Sequence, residues 1–148
     1  MIKNKCLTFK IYDSVYAIFI NEIYEIITYQ NCSKLPHTSS NFEGIINLRG
    51  QFIPVINFPN YLDKKCEITR NSLVIVTNLK DMRIGLLVPD VKEVVQLEDF
   101  AETPTVKNYL GVGVSENTEI YLLRISDFLD LEEAKNLVER EVLSDETK

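Results

Sequence analysis

The fold is decided by the stretch Tyr16-Ala17-Ile18-Phe19-Ile20-Asn21-Glu22-Ile23-Tyr24-Glu25-Ile26-Ile27, because its pattern returns 68 residues later. The second stretch is Ile84-Gly85-Leu86-Leu87-Val88-Pro89-Asp90-Val91-Lys92-Glu93-Val94-Val95. Apolar residues lie over apolar residues, and Glu25 lies over Glu93. Self-similarity at a fixed spacing is the signature of a repeated structural unit. We therefore predict that the chain is an internal duplication.

Each copy of the pattern consists of short runs that are typical of β-strands. Leu7-Thr8-Phe9-Lys10-Ile11 alternates apolar and polar residues, and Val15-Tyr16-Ala17-Ile18-Phe19-Ile20 is rich in β-branched and aromatic residues. These two runs predict a hairpin. A second hairpin is predicted by Gly44-Ile45-Ile46-Asn47-Leu48 and Phe52-Ile53-Pro54-Val55-Ile56, with Arg49-Gly50-Gln51 as its turn.

Short strands of this kind favour closed sheets. A unit of about 60 residues with some five strands is too small for a flat sheet to bury both faces, whereas a small barrel removes the free edges. We predict a mainly β fold with two small five-stranded β-barrels, packed together and followed by a C-terminal α-helix. The predicted boundaries are 1–66 and 67–129 for the barrels and 130–148 for the helix and tail. The polar segment 98–108 is predicted as a loop.

The C-terminal segment has the clearest helical pattern. Asp130-Leu131-Glu132-Glu133 resembles a capping box. An apolar stripe at helical spacing is formed by Leu131, Ala134, Val138 and Val142. Most of the net negative charge of the chain lies in this segment, and we interpret it as a solvated helix face.

Composition and charge exclude several classes of protein. With 148 residues, 45% of them hydrophobic and 26% charged, the chain has the make-up of an ordinary globular unit, not of a disordered or multidomain protein. A net charge of −6 repels phosphate backbones and anionic lipid. Nucleic-acid binding and membrane insertion are therefore not expected.

The cysteines and the N-terminus predict a cytoplasmic location. Cys6, Cys32 and Cys66 are odd in number and widely spaced, which fits neither a disulfide framework nor a zinc site. The first eight residues lack the apolar core of a signal peptide, and no run of about 18 apolar residues could span a membrane.

Candidates for catalysis are few. His37 is the only histidine, and its polar surroundings predict a surface loop. Motifs for nucleotide or acyl-transfer chemistry are missing from the sequence. Glu25 and Glu93 occupy equivalent positions and could form a carboxylate pair across a pseudo-twofold axis, although structural or surface acids are the simpler interpretation. We expect no catalytic residues, no metal and no cofactor.

One asymmetry between the copies points to function. Asn47-Leu48-Arg49-Gly50-Gln51 has the counterpart Val114-Ser115-Glu116-Asn117-Thr118, in which the arginine and the glycine are not repeated. A feature present in one copy is free to serve a site, which makes Arg49 the leading functional residue. The alternative is a structural salt bridge to Glu25. Both interpretations can hold together, because a paired arginine can also shape a loop that a partner recognises.

The same runs carry a resemblance that covers nearly the whole chain. They are Tyr16-Ala17-Ile18, Ile23-Tyr24-Glu25-Ile26-Ile27, Leu35-Pro36, Gly44-Ile45-Ile46-Asn47-Leu48-Arg49-Gly50, Ile53-Pro54-Val55-Ile56 and Ile84-Gly85-Leu86-Leu87-Val88. In this order the chain strongly resembles the CheW family of bacterial chemotaxis coupling proteins. The resemblance implies two SH3-like five-stranded barrels, and the length implies a stand-alone coupling protein.

The resemblance also implies partners and site residues. Such an adaptor binds the regulatory domain of the histidine kinase CheA and the cytoplasmic hairpin tip of a chemoreceptor, at membrane-associated receptor arrays, and catalyses no reaction. By motif position, the receptor-binding groove would include Ile23, Glu25, Gly85 and Val94. The turn that binds kinase and on which coupling depends would include Gly44, Leu48, Arg49 and Gly50. For Ile23 and Val94 the alternative is simply barrel core.

The chain departs from the family pattern at three positions where an acid is common. Asn57, Pro89 and Arg124 stand in those places, which indicates a divergent member. The competing hypothesis from another class is a small-barrel module for a ligand such as single-stranded nucleic acid. Such a module needs a basic groove with stacking rings, and an acidic chain without tryptophan does not favour it.

Overall fold

The computed structural model describes residues 5–30, 32, 41–79, 82–102, 109–128 and 131–146. In these ranges the chain forms eleven strands, two α-helices and 3-10 turns at Ile20–Glu22 and Ile125–Phe128. The strands are β1 Lys5–Ile11, β2 Ser14–Phe19, β3 Ile23–Thr28, β4 Phe42–Leu48, β5 Gln51–Asn57, β6 Leu73–Leu79, β7 Met82–Val88, β8 Val94–Gln96, β9 Glu98–Glu102, β10 Tyr109–Ser115 and β11 Thr118–Leu123. The helices are α1 Phe58–Tyr61 and α2 Leu131–Glu146. His37 lies outside the described residues.

The strands form two sheets. One has the order β8-β1-β2-β11-β10-β9, and the other has the order β3-β6-β7-β5-β4. The pairs β2–β11 and β5–β7 are parallel. The prediction of a loop over 98–108 is wrong at its start, where β9 pairs with β10. An edge strand is held by backbone hydrogen bonds on one side and tolerates charged residues, so its composition resembles that of a loop.

The strand positions confirm the internal duplication. β1 and β6 have the same length and lie 68 residues apart, and β4 and β10 lie 67 residues apart. When each strand is replaced by its equivalent, the order β3-β6-β7-β5-β4 becomes β8-β1-β2-β11-β10. Both sheets therefore share the same order of five equivalent strands, and β9 is an extra strand at one edge of the six-stranded sheet.

The two copies exchange hairpins, which corrects the predicted barrel boundaries. The β1–β2 hairpin joins β8, β10 and β11, whereas the β6–β7 hairpin joins β3, β4 and β5. Each sheet thus takes strands from both sides of residue 66, and 1–66 and 67–129 do not describe the division between them. The apolar pattern of a strand is the same whichever copy it pairs with, so the sequence repeat contains no information about this exchange.

Each sheet surrounds a core of its own, and a third core lies between the sheets. The core of the five-stranded sheet contains Ile46, Leu48, Ile53, Val55, Val74, Val76 and Leu87, with Ile27 packed against it. All five strands contribute, as expected of a small barrel. The core of the other sheet contains Cys6, Val15, Ala17, Leu97, Ile120 and Leu122.

The inter-sheet core explains the continuous apolar runs. Along β6, Val74 and Val76 face the barrel core while Ile75 faces the other sheet, because successive side chains of a strand point to opposite faces. The aromatic centre of the inter-sheet core is formed by Phe9, Tyr16 and Phe58, whose ring centroids lie 5.1 to 6.1 Å apart. Each sheet therefore buries one face in its own barrel core and the other in the inter-sheet core, which holds the two barrels together.

The C-terminal helix is confirmed, but the side chains that it buries differ slightly from the predicted apolar stripe. Ala134 is fully buried in the inter-sheet core, and Leu137 is also buried. Val138 and Val142 are partly buried and line a cleft of about 520 Å³ between α2, the start of β5 and β7. The predicted stripe omitted Leu137, which supplies a large buried apolar side chain.

Candidate functional site

The β4–β5 hairpin turns through Arg49 and Gly50, because Leu48 pairs with Gln51. Both turn residues have positive φ, 50° for Arg49 and 86° for Gly50, as in the type I′ turns that suit two-residue hairpins. The Asn47 side-chain oxygen accepts a hydrogen bond of 2.8 Å from the Gly50 backbone N–H. The Asn-Leu-Arg-Gly run therefore encodes the shape of the turn.

The equivalent turn of the other copy has the same shape and the opposite charge. Ser115 pairs with Thr118, and the two turn residues Glu116 and Asn117 have φ of 49° and 65°. The hairpin geometry is thus common to both barrels. The positive charge of Arg49 is specific to one of them, in agreement with the asymmetry noted in the sequence.

Arg49 forms a bidentate ion pair with Glu25 of β3. Its Nη2 lies 2.5 Å from Glu25 Oε1, and its Nη1 donates to Oε2 at 3.3 Å. The Arg49 side chain is 61% exposed and the Glu25 side chain 32% exposed. Chiefly through these hydrogen bonds, the pKa of Glu25 is lowered and the pKa of Arg49 is raised. The salt bridge considered from the sequence is confirmed.

The pair joins the two ends of the five-stranded sheet. β3 is at one edge of that sheet and β4 is at the other. Contact between a side chain of β3 and the turn that follows β4 therefore requires the sheet to curl until its edges approach. The ion pair lies across the closure of the barrel.

A second arginine extends this cluster. The Arg83 guanidinium carbon lies 3.5 Å from the centroid of the Tyr24 ring. Arg83 Nη1 donates to Gln51 Oε1 at 2.6 Å, and its Nε donates to Asn78 Oδ1 at 3.2 Å. The roles of Tyr24, Gln51 and Arg83 were not predicted from the sequence. The antiparallel register places Arg83 opposite Asn78. β5 is the parallel neighbour of β7, and β3 lies beyond β6, a strand order that the sequence does not reveal.

The structure brings together only part of the predicted receptor-binding set. Ile23 and Glu25 lie on β3, where Ile23 is partly buried against the inter-sheet core. Gly85 is buried in β7, and a Cβ there would meet Val74 Cγ1 at 2.7 Å. Val94 begins β8 in the other sheet and is 52% exposed, so it is not core. Gly85 has no surface to offer a partner, and the missing side chain leaves room for Val74 and Val55.

The predicted coupling turn contains two exposed residues and two that support them. Arg49 and Gly50 are exposed at the tip of the hairpin. Leu48 is buried in the barrel core. Gly44 lies at the far end of β4, beside a bulge, with a φ of 147° that L side chains rarely adopt. The four residues share one hairpin without forming one surface.

Asn57, the first departure from the family pattern, is explained by a buried network. Glu43 is 8% exposed, and its carboxylate accepts hydrogen bonds from Tyr29 Oη at 3.1 Å and from Asn57 Nδ2 at 3.2 Å. Asn57 Oδ1 accepts from the Asn60 N–H at 3.0 Å and caps α1. An acid at position 57 would oppose the Glu43 carboxylate, whereas the amide satisfies both neighbours.

The remaining titratable candidates lie apart from this site. Glu93 is exposed; its backbone N–H donates to Thr8 Oγ1, and its backbone C=O accepts a hydrogen bond from the same hydroxyl. The Glu25 carboxylate is bound by Arg49 instead of by Glu93. Burial raises the pKa of the Cys6 thiol to about 12, with Glu22 adding to the shift.

The described residues contain no cluster of three or more potential metal ligands. Among them, too, no helix is long and apolar enough to cross a membrane.

Residues 5–109 match the family described as CheW-like domain, which is more than half of the chain. The chain belongs to the CheW-like domain family. CheW-family proteins are non-catalytic scaffolds and adaptors, in agreement with the prediction that this chain is not an enzyme. The match begins at β1 and ends at the first residue of β10, so most of the β10–β11 hairpin and α2 lie beyond it.

Individual relatives agree with this membership. The chain is 30% identical over 100 residues to the chemotaxis protein CheW of Rhizobium meliloti, and 26% identical over 136 residues to that of Klebsiella aerogenes. These matches cover 67% and 86% of this chain. The chain spans 64% of the length of the first relative, just under two thirds, and 82% of the second.

A solved structure confirms the CheW fold. The scaffolding protein TtCheW from Thermoanaerobacter tengcongensis aligns with a TM-score of 0.79 at 24% identity, covering 86% of this chain and 88% of that one. The mainly β architecture of two SH3-like barrels with a C-terminal helix is therefore the fold of this chain.

Proposed function

We propose that this protein is a non-catalytic chemotaxis adaptor that couples transmembrane chemoreceptors to the histidine kinase CheA. In this role it binds the regulatory domain of the kinase and the cytoplasmic hairpin tip of the receptor, at membrane-associated receptor arrays. The observation that carries the proposal is the exposed, preformed turn at Arg49, which a bidentate pair with Glu25 holds in one orientation.

The kinase would bind at the tip of the β4–β5 hairpin. Arg49 presents a planar cation whose charge is only partly enclosed, because its side chain is 61% exposed. A guanidinium fixed before binding loses little side-chain entropy on association. Gly44 and Leu48 contribute from within the hairpin, by allowing the bulge and by anchoring the strand in the barrel core.

The receptor would bind along β3. Tyr24 and Ile26 are 43% and 40% exposed, and Glu25 lies between them. An amphipathic helix from the receptor could bury its apolar stripe against these side chains and Ile23. Val94 would be a separate contact on the other sheet, and Gly85 would support the surface from inside the barrel.

The proposal is tested by assembly of a ternary complex. Purified protein is mixed with the isolated kinase regulatory domain and a soluble receptor cytoplasmic fragment, and the mixture is analysed by size-exclusion chromatography with light scattering. An adaptor produces a peak that contains all three chains, at the summed mass. Failure of the protein to co-elute with either partner would refute the proposal.

A further inference from the structure

The Arg83 side chain joins the two strands that carry the Arg49–Glu25 pair. Arg83 lies on β7 and donates to Gln51, the residue that follows Gly50. Its guanidinium also stacks on Tyr24, the residue that precedes Glu25. Arg83 therefore contacts the residue next to Glu25 and the residue two positions after Arg49, without touching the ion pair itself.

We propose that Arg83 is a positioning residue for the coupling turn. It fixes Tyr24 on β3 against Gln51 at the start of β5, so that the Arg49–Glu25 pair keeps one orientation. This inference rests on the proposed function for its biological meaning, but the geometric claim concerns the free protein and can be tested without a partner.

The geometry requires a guanidinium at position 83. Arg83 uses its flat face on the Tyr24 ring while two edge nitrogens donate to Gln51 and Asn78. A lysine ammonium is a compact charge with no planar face and no fixed fork of donors. Both acceptors are neutral amide oxygens, so these hydrogen bonds leave the charge of Arg83 unneutralised. After Arg49, the charge of Arg83 also helps to lower the pKa of Glu25. Arg83 therefore acts electrostatically on the ion pair.

Tyr24 provides the connection between the two arginines. Its ring carries the Arg83 guanidinium, and the next residue on β3 is Glu25, the partner of Arg49. A role limited to barrel stability would not require the Tyr24 ring to act on the Arg49–Glu25 pair. The proposal predicts that removal of the Tyr24 ring disconnects Arg83 from Arg49, whereas removal of the hydroxyl alone does not.

The first experiment follows the Arg49 Nε–Hε signal in the nitrogen–proton spectrum of the free protein, assigned by its disappearance in Arg49→Ala. In Arg83→Ala and Arg83→Lys this signal should shift or broaden, because the surroundings of Arg49 lose their fixed geometry. Arg70→Ala, which removes an exposed arginine from the loop before β6, should leave the signal unchanged. An unchanged Arg49 signal in folded Arg83→Ala would overturn the proposal.

The second experiment measures affinity for the kinase regulatory domain. Loss of an exposed stacking contact should weaken binding about two- to fivefold in Arg83→Ala, and Arg83→Lys should not restore it. In an Arg49→Ala background the further loss should disappear, because Arg83 acts through Arg49. Additive losses would mean that Arg83 touches the partner itself and would contradict a positioning role.

Two tyrosine variants complete the test. Tyr24→Phe retains the ring on which Arg83 stacks, whereas Tyr24→Leu removes it. The Arg49 signal should respond to Arg83→Ala in the Tyr24→Phe background but not in the Tyr24→Leu background. If the wild-type protein binds no kinase domain, the proposed function fails, while these spectra still decide whether Arg83 positions Arg49.

Discussion

Arg49 and Glu25 are paired across the closure of the five-stranded barrel, although their strands lie at opposite edges of the sheet. The pair is exposed, so it adds little to stability in water. Its consequence is geometric, because it fixes a cation at the tip of a turn whose backbone already has two residues with positive φ. The equivalent turn of the other barrel has Glu116 in place of the arginine. The charge is therefore not required by the hairpin.

The ion pair gives a pH dependence with a defined sign. Arg49 lowers the pKa of Glu25 in the folded protein, so the unfolded state binds the proton more tightly. The small stability from the pair should be complete above the ordinary pKa of a glutamate and should disappear as the pH falls through the lower folded value. Urea unfolding between pH 7 and pH 3 should show a steeper loss for the wild type than for Glu25→Gln. Parallel pH profiles would contradict the pairing.

Gly85→Ala should destabilise the core of the five-stranded barrel without changing a surface. The new Cβ would lie 2.7 Å from Val74 Cγ1 and 3.1 Å from Val55 Cγ2, and overpacking of this kind costs about 1–3 kcal/mol. Gly113→Ala is the milder control, since its Cβ would approach Leu97 no closer than 3.2 Å. Adding Val74→Ala should recover part of the stability of Gly85→Ala. Wild-type stability of Gly85→Ala, with lost receptor binding, would show that Gly85 acts at the surface instead.

Asn57→Asp should destabilise the protein at neutral pH. The substitution removes the Nδ2 donor from the buried Glu43 carboxylate and adds a second negative charge beside it, and leaving a buried acceptor unsatisfied costs about 1–3 kcal/mol. The double variant Glu43→Gln/Asn57→Asp should regain stability, because the glutamine amide can donate to the aspartate. Chemical denaturation of the four proteins measures the coupling, and additive effects would mean that the two side chains do not interact.

Gly50→Ala should weaken the turn through backbone strain alone. A Cβ at this position meets no atom within 4 Å, so the φ of 86° is the only obstacle, and it costs about 1 kcal/mol. Gly50→Asn should cost less, because Asn117 already has a φ of 65° in the equivalent turn. Thermal unfolding distinguishes the two variants, and equal melting temperatures for alanine and asparagine would argue against strain.

Much of the fold could be predicted because it repeats. The matching runs at residues 16–27 and 84–95 predict the duplication, and the strand bounds follow the same spacing. The hairpin exchange could not be predicted, since β1 and β6 have equivalent patterns and pair equally well with either set of strands. β9 was missed because an edge strand needs only backbone partners on one side.

The candidate site could be predicted only where it depends on chain-local geometry. The Asn-Leu-Arg-Gly turn and its charge asymmetry were visible in the sequence, and the pair with Glu25 was one of two interpretations. The contacts of Arg83 with Tyr24 and Gln51 could not be predicted, because they depend on the strand order β3-β6-β7-β5, which the sequence does not reveal. Gly85 was grouped with surface residues by resemblance, although its surroundings are the barrel interior.

Titration calorimetry of the purified protein is the measurement to make first. The isolated kinase regulatory domain is the first titrant and a receptor cytoplasmic fragment is the second. We expect binding to both at separate sites, with dissociation constants of about 1 μM, or −8 kcal/mol. Arg49→Ala should fold but lose affinity for the kinase domain, and Ile23→Asp should lose the receptor fragment with less effect on the kinase domain. Absence of heat with both partners would contradict the adaptor function, and loss of folding in Arg49→Ala would show that the ion pair is structural.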